Sequence, residues 1–275
     1  MLIYSLIPNL IILSIAIGFP IGFLSSYLVV RRWSLLGDII SHASLPGITY
    51  SFLFYKSNNT FYLLIGGILS SIVSVILSFI LQKYKNLPKD SSFGLVLSWF
   101  FTFGMIGISI LQKANVEGQY IINSFIFGNI LTFPFKDIYW KIFICFFISI
   151  LFLFSIKIQK MITFDPCFSS LRYKYSELWD CLLLVSGITI ICLCLQIVGI
   201  LLIGTLIISP GVIAKVLTNS YGKMILLSIF ISILSFIGGV IISMRFTFLP
   251  TGPLIALIPI LIAIFIAFKR YLKEK

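Results

Sequence analysis

Nine apolar runs, each near twenty residues, follow one another along this chain with only short polar breaks. A run of that length crosses the hydrocarbon core of a bilayer as a helix, at about 1.5 Å per residue over about 30 Å. Inside hydrocarbon every backbone N–H and C=O must be paired within the protein, so such a chain folds as helices packed side by side. The runs are roughly Leu6–Val30, Leu35–Tyr55, Phe61–Leu81, Phe93–Leu111, Ile138–Ile156, Leu178–Leu195, Ile197–Leu217, Met224–Met244 and Leu254–Phe268. Between the sixth and seventh, Gln196 alone marks a tight turn. A further run, Ile121 to Phe133, is too short to cross and is expected to be re-entrant or interfacial. The expected fold is all-α: a polytopic helical membrane protein of about nine spans plus that short segment, forming a single integral-membrane domain over residues 1–275.

Charge sets the orientation. The chain is 60% hydrophobic and 10% charged, against about 25% charged in soluble domains. Its net charge of +12 would suggest nucleic acid in a soluble protein. Here no basic stripe with interleaved aromatics exists, so the expected surroundings are membrane lipid and no nucleic acid. Lys and Arg instead crowd alternate breaks, as the positive-inside rule requires. With the N-terminus outside, the inner segments hold fifteen of the 20 and the outer ones five, namely Lys56, Lys113, Lys136, Lys141 and Arg245. The expectation is a multi-pass protein of the cell (inner) membrane with a cytoplasmic C-terminus. The first apolar run begins almost at Met1, without the basic region and cleavage site of a signal peptide. The five cysteines form no CxxC and read as small core residues.

Polar groups inside the apolar runs carry the functional signal. The second run contains Gly37-Asp38-x3-His42, then Pro46-Gly47, and His42 is the only histidine. Four residues apart on a helix, Asp38 and His42 share one face. An Asp at the centre of a membrane helix costs about 2.5–3.5 kcal/mol on insertion scales, so something must offset it. A carboxylate with an imidazole is a partial site for a first-row divalent cation. A self-satisfied pair that pins two helices is the plainer alternative. Pro46 and Gly47 should bend or loosen the helix one turn on.

Two further segments stand out. Phe164-Asp165-Pro166 lies in the long polar stretch Lys157–Glu177. Asp at N-cap with Pro at N1 starts a helix, expected to run to about Arg172 with Phe168 and Leu171 on one side. Such a helix suits docking of a soluble partner, or simply lies on headgroups. In Val198-Gly199-x9-Ser209-Pro210-Gly211, small residues Gly199, Gly204 and Thr205 allow close helix approach, and Pro210 frees a carbonyl one turn back. Ordinary kinked packing explains that segment equally well. Leu249-Pro250-Thr251-Gly252-Pro253 reads as a rigid outer turn. No GxxxxGK[ST] occurs, so no P-loop hydrolyses nucleotide in this chain. An intramembrane hydrolase using His42 would need a serine brought to it from another span, and no GxSxG is present.

Taken together, these segments resemble the integral-membrane permeases of ABC importers for zinc, manganese and iron. GDIISHASLPGI at Gly37–Ile48 resembles the family's G-D-x-x-S-H-A-x-x-P-G. Phe127-Gly128-Asn129-Ile130-Leu131 is similar to its F-G-[ND]-[IL]-L, Phe164-Asp165-Pro166 to its F-D-P, Val198 through Pro210 to its V-G-x-L-L…P, and Leu249–Pro253 to its final proline-glycine-proline turn. The family often carries an Asp where this chain has Phe248, so the chain has no acid for a metal contact at that position. The resemblance implies a homodimeric transport subunit that is not itself an enzyme. It implies two partners, a cytoplasmic ABC ATPase and an extracytoplasmic metal-binding protein. Its cargo would be a divalent transition metal, with no cofactor held permanently. Asp38 and His42 become the expected metal contacts, Asp165, Pro166, Phe168 and Leu171 the ATPase-coupling helix, and Pro46, Gly47, Gly199 and Pro210 the bend and packing positions. The rival among transporters is a secondary, proton-coupled carrier, which would show inverted repeats with broken helices; none is apparent.

Overall fold

A computed structural model describes residues 2–55, 59–85, 87–114, 125–126, 128, 135–173, 175–246 and 250–274. These residues form ten helices: α1 (Leu2–Val30), α2 (Leu36–Tyr55), α3 (Thr60–Lys85), α4 (Lys89–Ala114), α5 (Phe135–Phe164), α6 (Pro166–Arg172), α7 (Ser176–Val198), α8 (Ile200–Leu217), α9 (Tyr221–Arg245) and α10 (Thr251–Glu274). The short run 121–133 lies outside the described residues, apart from 125–126 and 128.

The helices outrun the apolar runs that announced them. α5 has 30 residues, about 45 Å of helix, and reaches Phe164. The polar stretches 82–92 and 157–177 are therefore largely helical rather than loops. Once nucleated in hydrocarbon, a helix gains one backbone bond for each residue added beyond it.

Eight of the helices are long and apolar enough to cross a membrane. α2 is as long as a span requires, at 20 residues, but Asp38, His42 and three serines leave it too polar to join them. It survives because protein surrounds it: α3, α4, α7 and α8 all pack against it. Its polar groups meet other helices instead of lipid. Ser71 and Ser70 of α3 donate to the carbonyls of Ile40 and Ala43, at 2.9 and 2.7 Å.

Contacts at the helix ends sort the bundle into two faces. At one face Arg31 pairs with Asp180, Lys89 lies over the Trp33 ring, and Phe164 meets Tyr221 edge-on. There α1, α3, α5 and α8 end, and α2, α4, α7 and α9 begin. At the other face Tyr55 stacks on Tyr62, Phe61 meets Trp140, and the Thr251 hydroxyl donates to the Ile197 carbonyl at 3.1 Å. The long helices thus alternate in direction, as the distribution of Lys and Arg requires.

The junction of α7 and α8 corrects the sequence reading. Gln196 is not the turn; it lies inside α7, buried, and accepts a hydrogen bond from the ammonium of Lys141 on α5. The break is Gly199, with φ +88° and ψ 155°, a conformation open to glycine and costly for any residue with a Cβ. Gly199 therefore divides two helices rather than merely easing their packing. Lys141, counted above with the outer aqueous segments, is fully buried. Of the cysteines, Cys145, Cys192 and Cys194 are buried, whereas Cys167 and Cys181 are exposed, so two of the five are not core residues.

Candidate functional site

Asp38 enters the first turn of α2 and His42 follows one turn later, both half-buried. The Asp38 carboxylate occupies the space beside Gly204 of α8. A Cβ built on Gly204 would lie 1.6 Å from Asp38 Oδ1, and its three nearest atoms all belong to that carboxyl group. Glycine at 204 is what lets an acid stand between α2 and α8. The His42 ring meets Phe101 of α4 edge-on, with centroids 5.3 Å apart and planes at 88°. Its Nδ1 is buried with no hydrogen-bond partner among the described residues. The imidazole is held by packing while its nitrogen lone pair or proton stays uncommitted.

The serines beside His42 serve the backbone. Ser41 donates to the Asp38 carbonyl at 2.8 Å and Ser44 to the Ser41 carbonyl at 2.6 Å. Among the described residues no serine bonds the His42 ring, so the arrangement a serine hydrolase needs is missing there. Nor does a third His, Cys, Asp or Glu among them join the pair to complete a metal cage.

Pro46 and Gly47 seat α2 against its neighbours without ending it. The helix runs through both. A Cβ on Gly47 would fall 2.1 Å from the Gly66 carbonyl oxygen of α3, and one on Gly104 of α4 would meet Leu45 at 2.7 Å and Pro46 at 3.2 Å. The backbones touch here, and the Asp-His face is fixed between α4 and α8 as a result. On α8, Pro210 also lies within a continuous helix. The next residue, Gly211, donates its N–H to Ser25 Oγ of α1 at 2.7 Å, tying the lower half of α8 to α1.

α6 is the expected short helix. Asp165 caps it, its carboxylate accepting from the Phe168 N–H at 3.0 Å, and Pro166 opens it. Leu171 is 86% exposed and Phe168 46%, two large apolar side chains presented beyond the bundle. Of the Phe127–Leu131 motif only Gly128 is described; its φ is +70°, and it abuts the Val198–Gly199 peptide. Phe127, Asn129, Ile130, Leu131, Phe248 and Leu249 lie outside the described residues. Two contributors escaped the sequence reading. Gly204 was legible only as a small packing residue, and nothing marked Phe101 among 27 phenylalanines.

The chain as a whole is similar to known proteins. The family model described as the ABC 3 transport family matches residues 3–270. The zinc transport system membrane protein TroC of Treponema pallidum is 30% identical over 92% of this chain and 85% of its own. The manganese transport system membrane protein MntC of Listeria monocytogenes is 32% identical over 96% and 90%. Among solved structures, PsaBC from Streptococcus pneumoniae in complex with Fab superposes with a TM-score of 0.78 at 26% identity, over 92% of this chain and 87% of that one.

Proposed function

This chain belongs to the ABC 3 transport family and is a membrane permease of an ABC importer, and from that premise we propose that it carries a divalent transition metal inward, past Asp38 and His42. Zinc and manganese are the leading cargoes, since TroC and MntC are named for those systems, and iron is the third, since a similar protein of Yersinia pestis is named for a chelated iron transport system. The observation that carries the reading is the Asp38–His42 face: a carboxylate in a Gly204 cradle and an uncommitted imidazole one turn away. Conduction needs ligands that bind a cation yet release it, and two per chain are few enough for transient contact.

A second copy of the chain would double the set to two carboxylates and two imidazoles, which supports a homodimer with the path between its halves. The chain itself does not hydrolyse ATP. A cytoplasmic ABC ATPase would dock on α6 through Phe168 and Leu171, with Asp165 and Pro166 fixing that helix. An extracytoplasmic metal-binding protein would deliver the ion at the opposite face. The N-terminus then lies outside and the C-terminus in the cytoplasm of a cell (inner) membrane. Membership of an ATP-driven family sets the secondary-carrier alternative aside.

Reconstituted complex tests the proposal. ATP-driven uptake of zinc, manganese and iron is compared in wild type, Asp38→Asn and His42→Gln. Asp38→Asn keeps a hydrogen-bonding side chain but loses the anion, and His42→Gln keeps polarity but loses the imidazole. Both should abolish uptake while expression and assembly persist. Wild-type rates in both variants would show that the pair is packing.

A further inference from the structure

An ion pair joins the end of α1 to the start of α7. Arg31 closes α1, and Asp180 stands in the second turn of α7, 149 residues away in sequence. Arg31 Nη1 donates to Asp180 Oδ2 at 2.8 Å. Tyr27 donates its hydroxyl to the other carboxylate oxygen at 2.6 Å. The guanidinium also lies over two rings, 4.7 Å from the Tyr27 centroid and 4.6 Å from that of Trp33. Arg31 is only 10% exposed and Asp180 25%, so water screens the pair weakly.

This clamp closes on a strained elbow. Arg32, the next residue, has φ +57°, the one positive value among described non-glycine residues. Non-glycine residues held in the left-handed region persist where the surroundings over-determine them. Trp33 then donates its N–H back to Leu28 O at 2.9 Å, and its ring packs on Tyr27 and Phe79. α2 begins at Leu36, so Asp38 and His42 ride directly on this elbow.

On the other side, Asp180 is only a few residues from α6. Three residues, 173–175, separate α6 from α7. A cavity of about 470 Å³ lies beside the clamp, lined by Ser169 of α6, Thr163 of α5, Glu177 of α7, Lys89 of α4 and the elbow itself. Close-packed interiors transmit displacement, and empty space does not. α6 packs on α5 and α7, and around the open cleft a push on α6 has a route to α2 through the first turns of α7 and their grip on Arg31.

We infer that Arg31, Asp180 and Tyr27 form a positioning clamp that couples α6 to the α1–α2 elbow, and thereby sets the Asp38–His42 face in response to the ATPase. The clamp rests on the permease reading above, but its signature can be read without cargo. Ser34, exposed in the elbow, is replaced by cysteine in a background where the exposed Cys167 and Cys181 are changed to serine, in the full complex with the ATPase in proteoliposomes. Its thiol-labelling rate is measured with and without ATP, alongside metal taken up per ATP hydrolysed. Wild type should show an ATP-dependent change in labelling. Asp180→Asn should lose that change and cut uptake per ATP about tenfold, within the usual range of coupling energies, while hydrolysis continues. Asp180→Glu, which keeps a carboxylate for both donors, should retain the labelling response. An unaltered response in Asp180→Asn overturns the inference, as does loss of hydrolysis in step with loss of assembled complex, or an assembled Asp180→Glu complex that keeps none of the response. A wild-type complex that responds at Ser34 but accumulates no metal refutes the metal-permease reading and leaves the clamp standing.

Discussion

Gly204→Ala isolates the site from the fold. The new methyl would fall 1.6 Å from Asp38 Oδ1, far inside van der Waals contact. Every one of the three nearest atoms is part of one carboxyl group at the end of a rotatable side chain, with no backbone among them. The fold can therefore answer by turning Asp38 to another rotamer, at a cost toward the low end of the 1–3 kcal/mol typical of overpacking, roughly 1 kcal/mol. Alanine is also the better helix former by about 1 kcal/mol, which offsets much of that. Folding should thus be almost unchanged while the carboxylate leaves its place. If the metal contact needs that place, the roughly 1 kcal/mol of forced displacement appears in cation affinity as about fivefold. The assay is ATP-driven uptake across a range of metal concentrations, paired with thermal unfolding of the detergent-solubilised protein. Gly222→Ala is the control, since a Cβ there meets nothing within 4 Å. Wild-type half-saturation in Gly204→Ala, at unchanged stability, would refute the view that the cradle positions a metal ligand.

Other expectations follow from the same geometry. Gly47→Ala places a methyl 2.1 Å from a backbone carbonyl that cannot rotate away, so it should cost more than Gly204→Ala and lower the unfolding temperature measurably. Changing Phe168 and Leu171 together to Asp should abolish co-purification of the ATPase without affecting membrane insertion; normal co-purification would remove α6 from the docking surface. Lys273→Cys should resist an impermeant thiol reagent added outside intact cells, and labelling there would invert the proposed topology.

The all-helical, multi-pass architecture was legible because backbone pairing in hydrocarbon leaves a chain with these run lengths almost no alternative. Helix limits were less legible, because hydropathy reports where lipid ends and not where backbone bonding ends; α5 continues well past its apolar run. Gln196 misled for a different reason. A polar residue between apolar runs resembles a turn, yet its partner Lys141 lies 55 residues away and no local pattern joins them. The Asp38–His42 face followed from helical periodicity alone. Its supports did not, because Gly204, Phe101 and the Asp180 grip on Arg31 are contacts between helices distant in sequence. A glycine that accommodates a carboxylate looks the same, in one sequence, as a glycine that accommodates a neighbouring backbone.

That α2 packs against four other helices has a consequence for how the protein is made. A segment carrying Asp38, His42 and three serines is a poor substrate for the insertion machinery on its own, because it would face lipid before α3, α4, α7 and α8 exist. Its integration must wait for partners synthesised later, so the helix that bears the site is committed to the membrane out of chain order. Truncated chains ending after α2 should leave that segment reachable by an aqueous glycosylation tag, and chains extended through α4 should protect it.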